Sequence, residues 1–166
     1  MSANTDQYLT FTLASEVFAF DIASVREVLE YTTITKVPRT SAYVRGIINL
    51  RGRAVPVVDV RLKFGMPETE RTVNTCIIIV EVTLDGEQAV LGALTDSVRE
   101  VMDIESANIE PAPRMGTSIK ADFIHGIGRT PEGFIIILDI NKVFSEDELE
   151  GMLTSAEKAG GVTEAA

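Results

Sequence analysis

The sequence has one cysteine, one histidine and no tryptophan among its 166 residues. A single cysteine, Cys76, allows no internal disulfide, and its apolar neighbours predict a buried, inert thiol. A single histidine, His125, leaves zinc sites and catalytic triads without their usual partners. No stretch approaches the roughly 20 apolar residues that span a bilayer, and the first residues do not resemble a secretory signal. We therefore expect a soluble, cytoplasmic protein that has no cofactor or metal and does not insert into the membrane.

Basic residues are also few relative to acidic ones. The chain has 15 basic and 25 acidic residues, which gives a net charge of −10. Half of that excess lies in residues 145–166, where six acidic residues accompany one lysine. An acidic surface repels phosphate groups, so binding to nucleic acids or to anionic membranes is disfavoured.

What the sequence does contain is an internal duplication. One motif recurs after 73 residues and two further segments recur after 80. The matching pairs are Ser24–Val28 with Ser97–Val101, Gly46–Ile47 with Gly126–Ile127, and Asp59–Phe64 with Asp139–Phe144. Two copies of one unit provide two similar surfaces and a groove between them, a geometry suited to holding several partners.

Most of the chain is typical of short strands, so we predict an all-β fold of two small barrels, residues 7–67 and 72–144. Exchange of a hairpin between the barrels remains open. Residues 76–80 are apolar on both faces and predict a central strand, whereas Pro56 within another run predicts an edge or a bulge. A capping box and an apolar stripe predict an acidic helical tail over residues 145–166.

Asp59 and Asp139 occupy the same position in the two copies. Paired carboxylates can perform acid–base chemistry, and together with His125 they define the hypothesis of a small enzyme. That hypothesis requires the three side chains to lie within hydrogen-bond reach of one another. Each aspartate follows an apolar run and precedes a short helical turn, however, which favours a role as helix N-cap.

One loop differs between the copies while the strands beside it agree. The first copy has Asn49–Gly52 where the second has Arg129–Glu132. This divergence indicates either a separate task for the first loop or drift at a solvent-exposed turn. If the strands lie side by side, Arg51 can pair with Glu27 and brace the loop.

Residues 46–64 carry the most specific motif, an Asn-Leu-Arg-Gly turn, a Val-Pro-Val-Val-Asp strand and an Arg-x-Lys-Phe turn. In this segment, and in Phe11–Leu13 and Val25–Val28 upstream, the sequence resembles the CheW family of chemotaxis coupling proteins. The resemblance covers about residues 7–146.

The resemblance implies two intertwined, SH3-like five-stranded β-barrels, here followed by the predicted C-terminal helix. It also implies a non-enzymatic adaptor, monomeric when isolated, that couples transmembrane chemoreceptors to the histidine kinase CheA at membrane receptor arrays. A coupling protein of a pilus-based or other non-flagellar array is the alternative within the same class.

The resemblance further implies positions for three binding surfaces. The receptor tip is expected in the groove between the barrels, near Val25, Glu27, Val28, Gly46, Asn49, Arg51, Cys76, Ile77 and Gly92. The regulatory domain of the kinase is expected at Ile34, Thr35, Val37 and Arg39. A second kinase domain is expected near Met115.

Overall fold

The computed structural model describes residues 5–38, 42–84, 86–111 and 123–144. Eleven strands and two one-turn α-helices lie within those ranges. The strands are β1 Thr5–Leu13, β2 Glu16–Asp21, β3 Val25–Glu30, β4 Val44–Leu50, β5 Arg53–Asp59, β6 Cys76–Leu84, β7 Glu87–Thr95, β8 Ser97–Glu105, β9 Ile109–Glu110, β10 Ile124–Thr130 and β11 Gly133–Leu138, and the helices are α1 Val60–Lys63 and α2 Ile140–Val143.

The strands form two sheets, and each sheet takes strands from both copies of the duplicated unit. The first sheet has the order β3-β6-β7-β5-β4, and the second has the order β8-β1-β2-β11-β10-β9. The hairpin β1–β2 thus lies between strands of the second copy, and the hairpin β6–β7 lies between strands of the first. Parallel pairing joins β2 to β11 and β5 to β7, whereas the other neighbours are antiparallel.

The all-β prediction is confirmed, and the exchange that the sequence left open involves both hairpins. The second sheet also contains β9, a strand of two residues, whose counterpart in the first sheet is an isolated bridge between Thr35 and Ile47. The division into residues 7–67 and 72–144 stays a prediction, since each sheet spans both ranges. The predicted helical tail, residues 145–166, lies outside the described residues.

The core has three parts, which follow from this exchange. A large cluster lies between the sheets and contains Phe11 and Phe20, whose ring centroids are 4.7 Å apart. Two smaller clusters each lie within one sheet. On β6, Ile78 belongs to the cluster between the sheets and Ile77 to the cluster of the first sheet. Residues buried on both faces are expected of a central strand, and β6 does lie between β3 and β7 as predicted.

The duplication extends to main-chain detail at the start of each short helix. The N–H of Asp59 donates to the carbonyl of Tyr43 at 2.7 Å, and the N–H of Asp139 donates to the carbonyl of Phe123 at 2.8 Å. The two bonds are equivalent, because Phe123 lies eighty positions after Tyr43 and Asp139 lies eighty positions after Asp59. Positions at this offset can therefore be compared directly in three dimensions.

Candidate protein-binding site

The hairpin between β4 and β5 turns through two residues, Arg51 and Gly52. Both have positive φ, 52° and 85°, as a type I′ turn requires. The side-chain oxygen of Asn49 accepts a hydrogen bond from the N–H of Gly52 at 2.7 Å. In the second copy the position of Arg51 is taken by Pro131, whose ring holds φ negative. The loops of the two copies therefore differ in backbone conformation as well as in sequence.

Arg51 forms the predicted ion pair with Glu27 on β3. Its Nη1 donates to Oε1 of Glu27 at 3.3 Å, and its Nη2 contacts Oε2. The hydrogen bond from Arg51 lowers the pKa of Glu27, and the same bond raises the pKa of Arg51. Because Arg51 is exposed and Glu27 is only half-buried, the pair fixes the orientation of the turn over β3 more than it stabilises the fold.

A shallow cavity of about 270 Å³ opens beside this ion pair. Three arginines and one glutamate supply its charges, and apolar side chains supply the rest of its surface. The lining residues are Arg26, Glu27, Leu50, Arg51, Arg53, Ile79 and Val90. On a chain of net charge −10, such a basic and partly apolar depression is complementary to an amphipathic segment that carries carboxylates.

The structure places all nine residues of the predicted receptor site on the first sheet, but it does not expose all of them. Exposed positions are Val28, Asn49 and Arg51; half-buried positions are Val25, Glu27 and Cys76; buried positions are Gly46, Ile77 and Gly92. A Cβ atom on Gly92 would lie 2.7 Å from Cγ2 of Ile77, so these two residues pack against each other inside the sheet. Ile77 and Gly92 can therefore shape the surface but cannot touch a partner in this conformation.

Five residues that line the depression were not among the predicted site residues, namely Arg26, Leu50, Arg53, Ile79 and Val90. Arg26 and Arg53 line the depression, and their charges beside Arg51 were a visible signal. On the second sheet, Val101 was also missed; it is 48% exposed and is the repeat counterpart of Val28, which is 41% exposed. The duplicated Ser-Val-Arg-Glu-Val motif already contained this second exposed valine.

Cys76 is half-buried, so the prediction of a fully buried thiol is wrong. Its sulfur donates to the carbonyl of Asn74 at 3.3 Å. Burial raises the pKa of the Cys76 thiol, although a main-chain hydrogen bond from Val98 acts in the opposite direction. Since Val98 lies on β8, the thiol is located where the first sheet meets the second.

The predicted kinase site lies on the segment that follows β3. Thr35 is exposed, and it exchanges two main-chain hydrogen bonds of 2.8 Å with Ile47 on β4. Ile34 and Val37 beside it are half-buried. The other two residues predicted to contact kinase domains, Arg39 and Met115, lie outside the described residues.

The two repeat-related aspartates differ, and the difference argues against the enzyme hypothesis. Asp59 is fully buried and caps α1 by accepting from the N–H of Arg61 at 3.1 Å, as predicted. For Asp139 the capping prediction is wrong, because its side chain makes no such bond. Asp59 is enclosed by Arg45 and Thr69, so it does not join His125 and Asp139 in one site.

Within the described ranges, no group of three or more His, Cys, Asp or Glu residues is arranged to hold a metal ion. Across the same ranges, no helix is long and apolar enough to cross a membrane.

Comparison with known proteins adds a consistent result. A model of the CheW-like domain matches residues 7–148. A chemotaxis protein CheW from Klebsiella aerogenes is 32% identical over 143 residues, which is 86% of this chain and 84% of the relative. A chemotaxis protein CheW from Thermotoga maritima is 33% identical and covers 84% of this chain and 88% of its own length. The crystal structure of the scaffolding protein TtCheW from Thermoanaerobacter tengcongensis superimposes with a TM-score of 0.76 at 36% identity, over 86% of this chain and 94% of that one.

Proposed function

The chain belongs to the CheW-like family of non-enzymatic chemotaxis scaffold proteins, and on that basis we propose that it couples the cytoplasmic tips of transmembrane chemoreceptors to a CheA-type histidine kinase. In this role it is a cytoplasmic monomer that is recruited to membrane receptor arrays through its partners.

The observation that carries the receptor half of the proposal is the basic depression beside Arg51. The family resemblance implies that a receptor tip is an amphipathic helix, whose apolar face can lie in a depression of this kind. The depression combines three arginines with the apolar side chains of Leu50, Ile79 and Val90. An amphipathic helix laid across β3 would cover the half-buried Leu50 and place its carboxylates near the arginines, while Ile79 and Val90, which are already buried, form the floor of the depression.

The kinase half of the proposal rests on the segment around Thr35. Its two hydrogen bonds to Ile47 hold it flat on β4, so that Ile34 and Val37 are presented from a defined main-chain position. The regulatory domain of CheA-type kinases shares this fold, so the contact would be one sheet surface against another. We therefore assign Ile34, Thr35, Val37 and Arg39 to the first kinase contact, and Met115 to a contact with a second kinase domain.

Coupling follows from holding both partners at once. The receptor surface and the kinase surface lie on the same sheet but involve different residues, so both can be occupied together. Simultaneous binding raises the concentration of kinase at the receptor without any chemical step. A signal would then pass as a change in the populations of these contacts.

Size-exclusion chromatography of the purified protein tests the proposal, with a CheA regulatory domain, a receptor tip fragment, or both. We expect a complex with each partner alone and a larger complex with both. Kinases from flagellar and from pilus-based arrays, compared in parallel, separate the two kinds of array. If neither a kinase domain nor a receptor fragment co-elutes at micromolar concentrations, the proposed coupling role is wrong.

A further inference from the structure

Arg45 and His125 occupy the same position in the two copies of the unit. Each lies at a β-bulge, where the register shifts between β4 and β5 in the first copy and between β10 and β11 in the second. A bulge redirects a side chain relative to the regular strand. Each bulge is followed, at the end of the next strand, by the matched aspartate, Asp59 or Asp139.

In the first copy this position is filled from within the chain. Nη1 of Arg45 donates to Oδ2 of Asp59 at 3.0 Å. Thr69 adds two bonds, from its N–H at 3.0 Å and from its hydroxyl at 2.7 Å. Together with the N–H of Arg61, these donors satisfy a carboxylate that has no exposure to solvent. Asp59 therefore shows which groups an aspartate at this repeat position can bind when it is enclosed, namely an arginine guanidinium and neighbouring hydrogen-bond donors.

In the second copy the same place is a cavity of about 300 Å³, which has room for one long side chain. The carboxylate of Asp139 receives no hydrogen bond from any described residue. Tyr8 also lines this cavity; it is only 3% exposed, and its hydroxyl has no hydrogen-bond partner in the described part of the chain. The polar lining includes Asp6, Tyr8, Asp21, His125, Asp139 and Asn141.

The charges of the lining restrict the occupant. The three carboxylates of the lining, Asp6, Asp21 and Asp139, disfavour a negatively charged occupant. Burial raises the pKa of Tyr8, and the negative charges of Asp6 and Asp21 raise it further. A metal ion is disfavoured because, among the described residues, no three His, Cys, Asp or Glu side chains lie close enough together to hold one. A guanidinium has a planar set of donors that can serve several oxygens at once, whereas an ammonium is a compact charge.

We propose that this cavity binds an arginine side chain of a partner protein, with Asp139 taking the role that Asp59 has toward Arg45. The site lies on the second sheet, and binding there does not depend on the proposed function.

A titration of the ¹⁵N-labelled full chain with N-acetyl-arginine amide, followed by NMR, tests the proposal. We expect saturable shifts of the amides of Tyr8, His125 and Asn141, with a dissociation constant of about 1–10 mM, as befits one isolated side chain. N-acetyl-citrulline amide is the matched control, because it has the same shape without the charge. If the arginine compound gives no saturable shifts there, or if the citrulline compound gives equal ones, the proposal is wrong.

Two variants sharpen the test. Asp139→Asn removes the charge and should weaken arginine binding by about tenfold or more while the rest of the spectrum is unchanged. His125→Arg installs the residue of the first copy, so we expect it to occupy the cavity, abolish binding and raise the melting temperature. Unchanged arginine binding in His125→Arg would overturn the assignment, because the guanidinium introduced at position 125 and that of the added arginine compound would then not compete for the cavity.

Discussion

The carbonyl oxygen of Thr35 lies 2.1 Å from the position that a Cβ atom on Gly46 would take. Gly46 also has φ of 144°, a conformation that residues with a side chain rarely adopt. Glycine at this position therefore allows the segment of the predicted kinase site to lie directly on β4. The surface at Thr35 depends on a residue that is itself buried.

We expect Gly46→Ala to weaken binding of the kinase regulatory domain by about tenfold or more, because the methyl group displaces Thr35 from β4. Isothermal titration calorimetry, performed below the melting temperature of the variant, measures the effect. Gly126→Ala is the control in the second copy, where the added Cβ would lie 2.5 Å from Cγ2 of Ile109. Both variants should lose stability, but only Gly46→Ala should lose kinase affinity. Equal kinase affinities would contradict the assigned contact.

Arg51→Glu should abolish the ion pair with Glu27 and repel an acidic receptor helix. We expect receptor-fragment affinity to fall by about tenfold or more, while the melting temperature changes by no more than about 2 °C, since Arg51 is exposed and Glu27 is only half-buried. Pull-down with receptor fragments and a thermal melt provide the two readouts. Arg129→Glu is the matched control, because Arg129 pairs with Glu110 at the corresponding loop of the second sheet. Receptor affinity equal to that of the unmodified protein would remove Arg51 from the receptor site.

Cys76 allows the receptor surface to be mapped without any substitution. Because burial raises the pKa of its thiol, less thiolate is present at neutral pH than in a free cysteine, and alkylation by iodoacetamide should be slow and should accelerate as the pH rises. A saturating receptor fragment should slow alkylation further by covering the groove, and mass spectrometry measures the rate. The kinase domain alone serves as the control and should have little effect. A rate indifferent to the receptor fragment would place Cys76 outside the contact.

The two repeat-related aspartates should differ in their effect on stability. Asp59→Ala removes the partner of Arg45 in a buried network, so we expect a loss of about 3 kcal/mol or more in the free energy of unfolding. Asp139→Ala removes a carboxylate that makes no hydrogen bond within the described residues, and the change should stay within about 0.5 kcal/mol. Urea denaturation of the two variants makes the comparison, and similar losses would show that Asp139 has a structural partner.

Much of the fold was predictable from local patterns and from the duplication. The apolar run at residues 76–80 identified a central strand, and the divergent loop led to the pairing of Arg51 with Glu27. These predictions succeeded because each depended on which faces are buried, or on residues in adjacent strands. The exchange of hairpins was implied by the family resemblance but not by local patterns, because the pattern along a strand shows which face is buried but not which strand lies beside it.

Pro56 predicted an edge or a bulge in its strand. β5 is not an edge strand, since it lies between β4 and β7, but its pairing with β4 does contain a bulge, between Val44 and Gly46. The partner of Pro56, Ile47, uses both main-chain groups to bind Thr35, and pairing with β7 begins only at Val57. A hydrogen-bond donor is therefore not required at this one position, which is consistent with proline inside the strand.

The unequal roles of Asp59 and Asp139 were also beyond local patterns. Both follow an apolar strand and precede a short helix, so their immediate neighbours predict the same cap. The difference arises from residues that contact them across the fold, namely Arg45 and Thr69 in the first copy and His125 in the second. Alignment of the two copies at an offset of eighty residues would have revealed the change from arginine to histidine.

The placement of the β1–β2 hairpin has a consequence during synthesis on the ribosome. This hairpin is made first, but its neighbours in the sheet are β8 and β11, and β11 ends at Leu138. The β1–β2 hairpin must therefore wait, with its strand edges unpaired, until β11 has emerged. Nascent chains stalled before residue 133 should remain sensitive to protease within β1–β2, and emergence of β11 should protect β1–β2 and β10–β11 together.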